Sequence, residues 1–133
     1  MKIRELLCEN DSIVDAHYLD TLAKKIHRSF DDFSEGDLTD RIYWFDQYKL
    51  IDLPLSKLDL NQYSVDDDIV DDYINHIKDS RGTMPPIIYD PIAGSVIDGI
   101  HRANAYASLK YNTIPAYVGT VKSSSYGERE NEL

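Results

Sequence analysis

Asp98, Gly99, Ile100, His101 and Arg102 form one run between a stretch that reads as a strand and one that reads as a helix. A helix start leaves backbone N–H groups unpaired and carries partial positive charge. Gly99 has no side chain to keep a ligand away from that backbone. His101 and Arg102 add side-chain donors at the same point, and an arginine fork can hold a phosphate with two parallel hydrogen bonds. Type and spacing therefore describe an anion site, with phosphate as the natural ligand. Gly99, Ile100, His101, Arg102 and, one turn further on, Asn104 are the candidate binding residues. Asp98, His101 and Arg102 are the candidate catalytic residues. In that role His101 and Arg102 would offset charge on a transferring phosphoryl group. Asp98 would orient His101, act as a base, or hold Mg²⁺ as the candidate metal ligand. A plainer reading stands beside this one: Asp-Gly at a strand end is a turn, and His and Arg in a first helical turn can be surface residues.

Other chemistry-bearing residues are less well placed. Asp90 is a second carboxylate near the run. Asp66, Asp67 and Asp68 form a denser cluster, but an acidic first turn suits the positive end of a helix without any metal. His17, His27, His76 and His101 show no HxH or HxxxH spacing, which argues against a zinc site. Cys8 is the one cysteine, so an internal disulfide is excluded. Trp44 and the tyrosines read as core, because no basic residues interleave with them as a base-stacking surface would need.

The elements that must position the run follow from periodicity. Leu19, Leu22, Ala23, Ile26 and Phe30 recur at helical spacing, which predicts a first helix capped by Asp11 or Ser12. Asp31 to Gly36 reads as a loop. A short helix carrying Ile42, Trp44 and Phe45 is expected next, with a strand as the alternative. Lys49 to Leu55 predicts a strand that ends, or lies at an edge, at Pro54. A helix follows with Ile69, Val70, Tyr73, Ile74 and Ile77 on one face, capped through Ser64 and Asp67 and stopped near Gly82. Pro86–Asp90, a turn over Pro91–Gly94, and Ser95–Asp98 read as a hairpin. A helix from Ile100 to about Tyr111 and a strand over Thr113–Val121 complete the pattern, and residues 122–133 read as a mobile tail.

The chain has 133 residues, a formal charge of −10 and 42% hydrophobic residues. That is enough to build one core. No apolar run reaches the ~20 residues of a membrane span. The start, MKIRELLCEND, lacks the pattern of a secretory signal. A cytoplasmic protein with no membrane association is expected. Residues 1–80 hold 19 acidic and 9 basic side chains, and residues 81–133 hold 5 of each. The acidity thus lies wholly outside the segment with the anion site. It disfavours an extended basic track for nucleic acid. It makes the N-terminal part the place for a protein partner.

The run MPPIIYDPIAGSVIDGIHRANAYASLKYNTIPAYVG, with the upstream LPLSKLD, resembles the ParB/sulfiredoxin superfamily over about Leu50–Thr120. The resemblance implies an α+β (α/β) fold: a compact domain with a small mixed sheet over residues 50–121, here preceded by an acidic, mainly helical extension over residues 1–49. It also implies a nucleoside triphosphate, ATP or CTP with Mg²⁺, as ligand, and NTP hydrolysis or phosphoryl transfer at the DGIHR helix start. Sulfiredoxins carry a nucleophilic Cys directly before the His-Arg pair; here that position is Ile100, so sulfiredoxin activity is not expected. Chromosome-partitioning ParB proteins carry Glu-Arg-Arg and a following helix-turn-helix; here the pair is His101-Arg102, and a DNA-reading module of that type is not expected. A ParB-like nuclease acting on DNA or RNA is one alternative. A non-catalytic acidic interaction protein that mimics nucleic acid is the other. The MKIRELL start resembles those of phage-encoded proteins, which would place the chain in a host cytoplasm.

Overall fold

The computed structural model describes residues 13–29, 41–60, 65–79, 84–124 and 126. Among them the elements are β1 (Ile13–Asp15), α1 (Ala16–Ser29), β2 (Phe45–Pro54), a 3₁₀ turn (Leu55–Lys57), α2 (Asp67–Asp79), β3 (Ile87–Asp90), β4 (Ser95–Asp98), α3 (Ile100–Ser108) and β5 (Thr113–Lys122). Three helices and five strands make an α+β fold. The strand order is β1-β2-β5-β3-β4. β3 and β5 run parallel, and the other neighbours are antiparallel, so the sheet is mixed. Among the described residues, no helix is long and apolar enough to cross a membrane.

The period of two along each strand sorts the core into two faces. Ile87, Tyr89, Val96 and Ala116 pack with Val70, Tyr73 and Ile77 of α2 and with Ala103 and Tyr106 of α3. Their neighbours Ile88, Ile97 and Tyr117 point the other way, against Ala16, Leu19 and Ala23 of α1. Each large apolar side chain buried this way contributes about 1.5–3 kcal/mol. The molecule is three layers, with the sheet between α1 and the α2–α3 pair.

This layering changes the expected division of the chain. The boundary at residues 49/50 falls inside β2, and the segment before it supplies β1 and the helix that covers one sheet face. The tail expected from residue 122 is also reassigned in part. Lys122 ends β5, and the ring of Tyr126 packs 5.2 Å from Trp44 and 5.3 Å from Phe45. Residues 127–133 lie outside the described residues, as do Cys8, Phe30, the loop Asp31–Gly36 and Gly82.

Local starts and stops shift for identifiable reasons. The Asp15 carboxylate accepts the Tyr18 N–H at 2.8 Å and starts α1 at Ala16. The expected caps Asp11 and Ser12 lie outside the described residues. Ile13 and Val14 instead pair with Lys49 and Tyr48 of β2. Phe45 opens β2 rather than belonging to a helix. A bulge between Phe45 and Tyr48 lets both rings face α1. Pro54 ends β2, as expected. Ser64 lies outside the described residues, and Asp66 caps α2 instead, its Oδ1 accepting the Asp68 N–H at 2.9 Å. α3 stops at Ser108, short of Tyr111, where Lys110 turns to φ 63°. The Tyr111 N–H then bonds back to the Tyr106 carbonyl at 3.1 Å, and the two rings sit 5.0 Å apart.

Tyr48 is fully buried and donates to the Ile42 carbonyl at 2.6 Å. Burial pushes its pKa up, the Asp90 charge adds to this, and Arg41 opposes it. The unfolded phenol ionises near pH ~10. Since the folded value is raised, the contribution of Tyr48 is fully present below that pH and is lost as pH rises toward the folded value. The expected slope is about 1.4 kcal/mol per pH unit above pH ~10. Urea unfolding of the wild type and Tyr48→Phe across this range checks it. Equal slopes for the two proteins would contradict the assignment.

Candidate functional site

β4 delivers Asp98 to the edge of the sheet, and Gly99 turns the chain directly into α3. Gly99 has φ 100° and ψ 28°, a backbone that side-chain-bearing residues rarely adopt. It is also a point of close approach. A Cβ built there would lie 2.6 Å from Arg102 Nη2 and 2.7 Å from Ile87 Cγ2. The glycine therefore makes room for Arg102 at the helix start. Gly99 supplies no side-chain cap to the first turn of α3.

Arg102 is the unusual group. Its relative exposure is 0%. Nη2 lies 3.4 Å from Asp98 Oδ2 and 3.4 Å from the Pro86 carbonyl oxygen. Both distances are long for bonds from a charged donor, which usually fall near 2.7–2.9 Å. Nε and Nη1 are buried and have no acceptor among the described residues. A guanidinium carries five N–H donors. Most of these are therefore out of water without a partner, which costs about 1–3 kcal/mol per group. The charge also reaches Tyr106: burial and Tyr111 push that phenol up, while Arg102 pulls the other way.

The other expected site residues have defined places. His101 is half-buried, and its Nε2 accepts the Asp66 N–H at 3.0 Å. Here the imidazole links the starts of α2 and α3 as an acceptor, whereas the sequence suggested a donor toward phosphate. Ile100 packs against the α2–α3 core. Asn104 is turned into its own helix, its Nδ2 donating to the Ile100 carbonyl at 2.9 Å. Asp98 faces Arg102 across 3.4 Å. Among the described residues, no three His, Cys, Asp or Glu side chains gather as a metal site.

Asp90 is not part of the site. Antiparallel pairing sets Ile88 against Asp98 and Asp90 against Ser95, so the two carboxylates lie at opposite ends of the hairpin. Asp90 has 0% exposure. Its Oδ1 accepts the N–H groups of Ile92 at 2.8 Å and Ala93 at 3.0 Å, and its Oδ2 accepts the Tyr126 hydroxyl at 2.7 Å. Gly94, at φ 68°, closes the turn by donating to the Asp90 carbonyl at 2.9 Å. An Asp opening a turn was a readable signal for this role.

The chain is thus an α+β protein with a mixed five-stranded sheet and a buried arginine at the start of the helix after the hairpin. Comparison with solved structures finds similarity to sulfiredoxin from Arabidopsis thaliana, at TM-score 0.48 and 24% identity, over 63% of this chain and 97% of that one. A Pnob8-like ParB-N domain is similar at TM-score 0.46 and 17% identity, over 63% of this chain; this chain spans about a third (34%) of that one. Both are likenesses of fold alone. No protein-family model and no curated protein matches the sequence.

Proposed function

We propose that the chain binds the phosphate groups of a nucleotide at the start of α3, with Arg102 as the anchor. The observation that supports this is the buried guanidinium of Arg102, whose Nε and Nη1 have no acceptor among the described residues. A tetrahedral anion offers several acceptor oxygens, and a planar fork matches its geometry. The positive end of α3 adds to the attraction. Gly99 belongs to the reading because it lets the guanidinium lie against the helix start.

The ligand class is a nucleoside triphosphate, ATP or CTP, carrying its own Mg²⁺. The reading stops at binding. Asp98 contacts Arg102 at 3.4 Å and Asp66 caps α2. Calorimetric titration with ATP, CTP, GTP, ADP and tripolyphosphate, each with and without Mg²⁺, tests it. Saturable binding by the wild type is expected, weakened ~100-fold in Arg102→Met through loss of two charge-assisted hydrogen bonds. Absence of heat from every one of these ligands, with the wild type folded, overturns the reading.

A further inference from the structure

The engagement of Arg102 is confined to one nitrogen, and that nitrogen is shared by both forks of the guanidinium. Nε pairs with Nη2 on one edge, and Nη1 pairs with Nη2 on the other. Nε and Nη1 share no edge, because Nη1 lies on the Cδ side. Any anion gripped by two parallel bonds must therefore take a hydrogen of Nη2. Nη2 has two hydrogens, and the structure gives it two acceptors: Asp98 Oδ2 and the Pro86 carbonyl, each at 3.4 Å. Both forks are half-occupied from within the protein. The two contacts differ in charge. The Pro86 carbonyl is neutral and fixed in the backbone. The Asp98 carboxylate is an anion and would repel an incoming phosphate at close range.

We propose that Asp98 is a built-in competitor for the phosphate site: its carboxylate holds the arm of Arg102 that a phosphate must take, so binding is coupled to breaking the Asp98–Arg102 pair. The inference rests on the phosphate-binding reading and adds its regulation. The long contact suits a displaceable anion. A carboxylate placed to hold the arginine permanently would be expected to grip it bidentately near 2.8 Å or so. Asp98 then sets a threshold, because a single weak anion does not displace it and a polyphosphate with several oxygens does.

The test uses the full chain and tripolyphosphate without Mg²⁺, so that no cation bridges the carboxylate to the ligand. Asp98→Asn keeps the side-chain shape and removes the competing charge. It is expected to bind tripolyphosphate roughly tenfold more tightly than the wild type. Equal or weaker binding by a folded Asp98→Asn, with the wild type binding, overturns the inference and leaves the phosphate-binding reading standing. Failure of both folded proteins to bind removes that reading itself, and this inference with it. A second measurement needs no variant. In the wild type, the Arg102 Nε–H and the Asp98 carboxyl carbon are followed by NMR during the titration. Both signals are expected to move with the same midpoint. Movement of the Arg102 signal with an unmoved Asp98 carbon overturns the competitor role even if Asp98→Asn does not fold.

Discussion

Arg102→Ala is expected to destabilise the fold by about 3–5 kcal/mol. The substitution leaves the buried Asp98 carboxylate without its cation and empties the space against Gly99 and Ile87. A typical domain has about 5–15 kcal/mol of total stability, so the loss is a large fraction of it. The informative comparison is the double variant Arg102→Met with Asp98→Asn. It removes both charges and roughly refills the space. Replacing a buried ion pair by uncharged groups of similar volume is often neutral, or stabilising by about 1–4 kcal/mol. Here the guanidinium also carries unpartnered N–H groups, which makes the original pair less favourable still. The double variant is therefore expected to regain most of the loss while binding no phosphate. Urea unfolding of the three proteins measures this. A double variant as unstable as Arg102→Ala would show that the pair holds the fold together in its own right.

The second large effect lies at the other end of the hairpin. Asp90→Ala strips the acceptor from two backbone N–H groups and from the Tyr126 hydroxyl at once. At about 1–3 kcal/mol per donor left unpaired, and with the half-buried turn N–H groups partly rehydrated, a loss of about 3–5 kcal/mol is expected. Tyr126→Phe removes one of the three donors and is expected to cost about 1 kcal/mol. The two differ in a second readout. Tyr126 packs on Trp44, so its release in Asp90→Ala exposes the indole and shifts its fluorescence to longer wavelength. In Tyr126→Phe the ring stays and the emission holds. A stability loss in Asp90→Ala no larger than that of Tyr126→Phe would mean that the turn N–H groups find water instead.

Much of the frame was legible in the sequence. The PIIYD-PIAG-SVID hairpin was readable because its turn residues and its two apolar runs agree. α2 was readable because Val70, Tyr73 and Ile77 recur at helical spacing. The layer formed by α1 was only half legible. The spacing of Leu19, Ala23 and Ile26 says that one face is buried but not what it covers, and the covering surface comes from Ile88, Ile97 and Tyr117 far along the chain. At the site, the run from Asp98 to Arg102 was visible as a unit. Its internal arrangement was not. Spacing of four aligns Asp98 with Arg102 only if both belong to one helix, and Asp98 is the last residue of a strand. Their pairing depends on the turn angle that Gly99 sets. The link from Asp66 to His101 joins two helix starts 35 residues apart in sequence, and no local pattern encodes it. Tyr126 was missed because one aromatic anchor in a polar stretch has no period.

The place of β5 has a consequence for how the molecule comes into being. β5 lies between β2 and β3, yet among the described residues it is the last strand in sequence. Until it arrives, β1 and β2 can pair with each other, and β3 can pair with β4, but nothing joins the two ribbons edge to edge. A chain emerging from a ribosome must hold both unfinished ribbons in solution until Thr113–Lys122 is free to slot between them. Two open strand edges face the solvent during that wait, which is the period of greatest exposure to misassociation. Late insertion of a central strand also makes completion abrupt. The two halves of the sheet, and the helix start that carries Arg102, become one cooperative unit at the step that closes the gap.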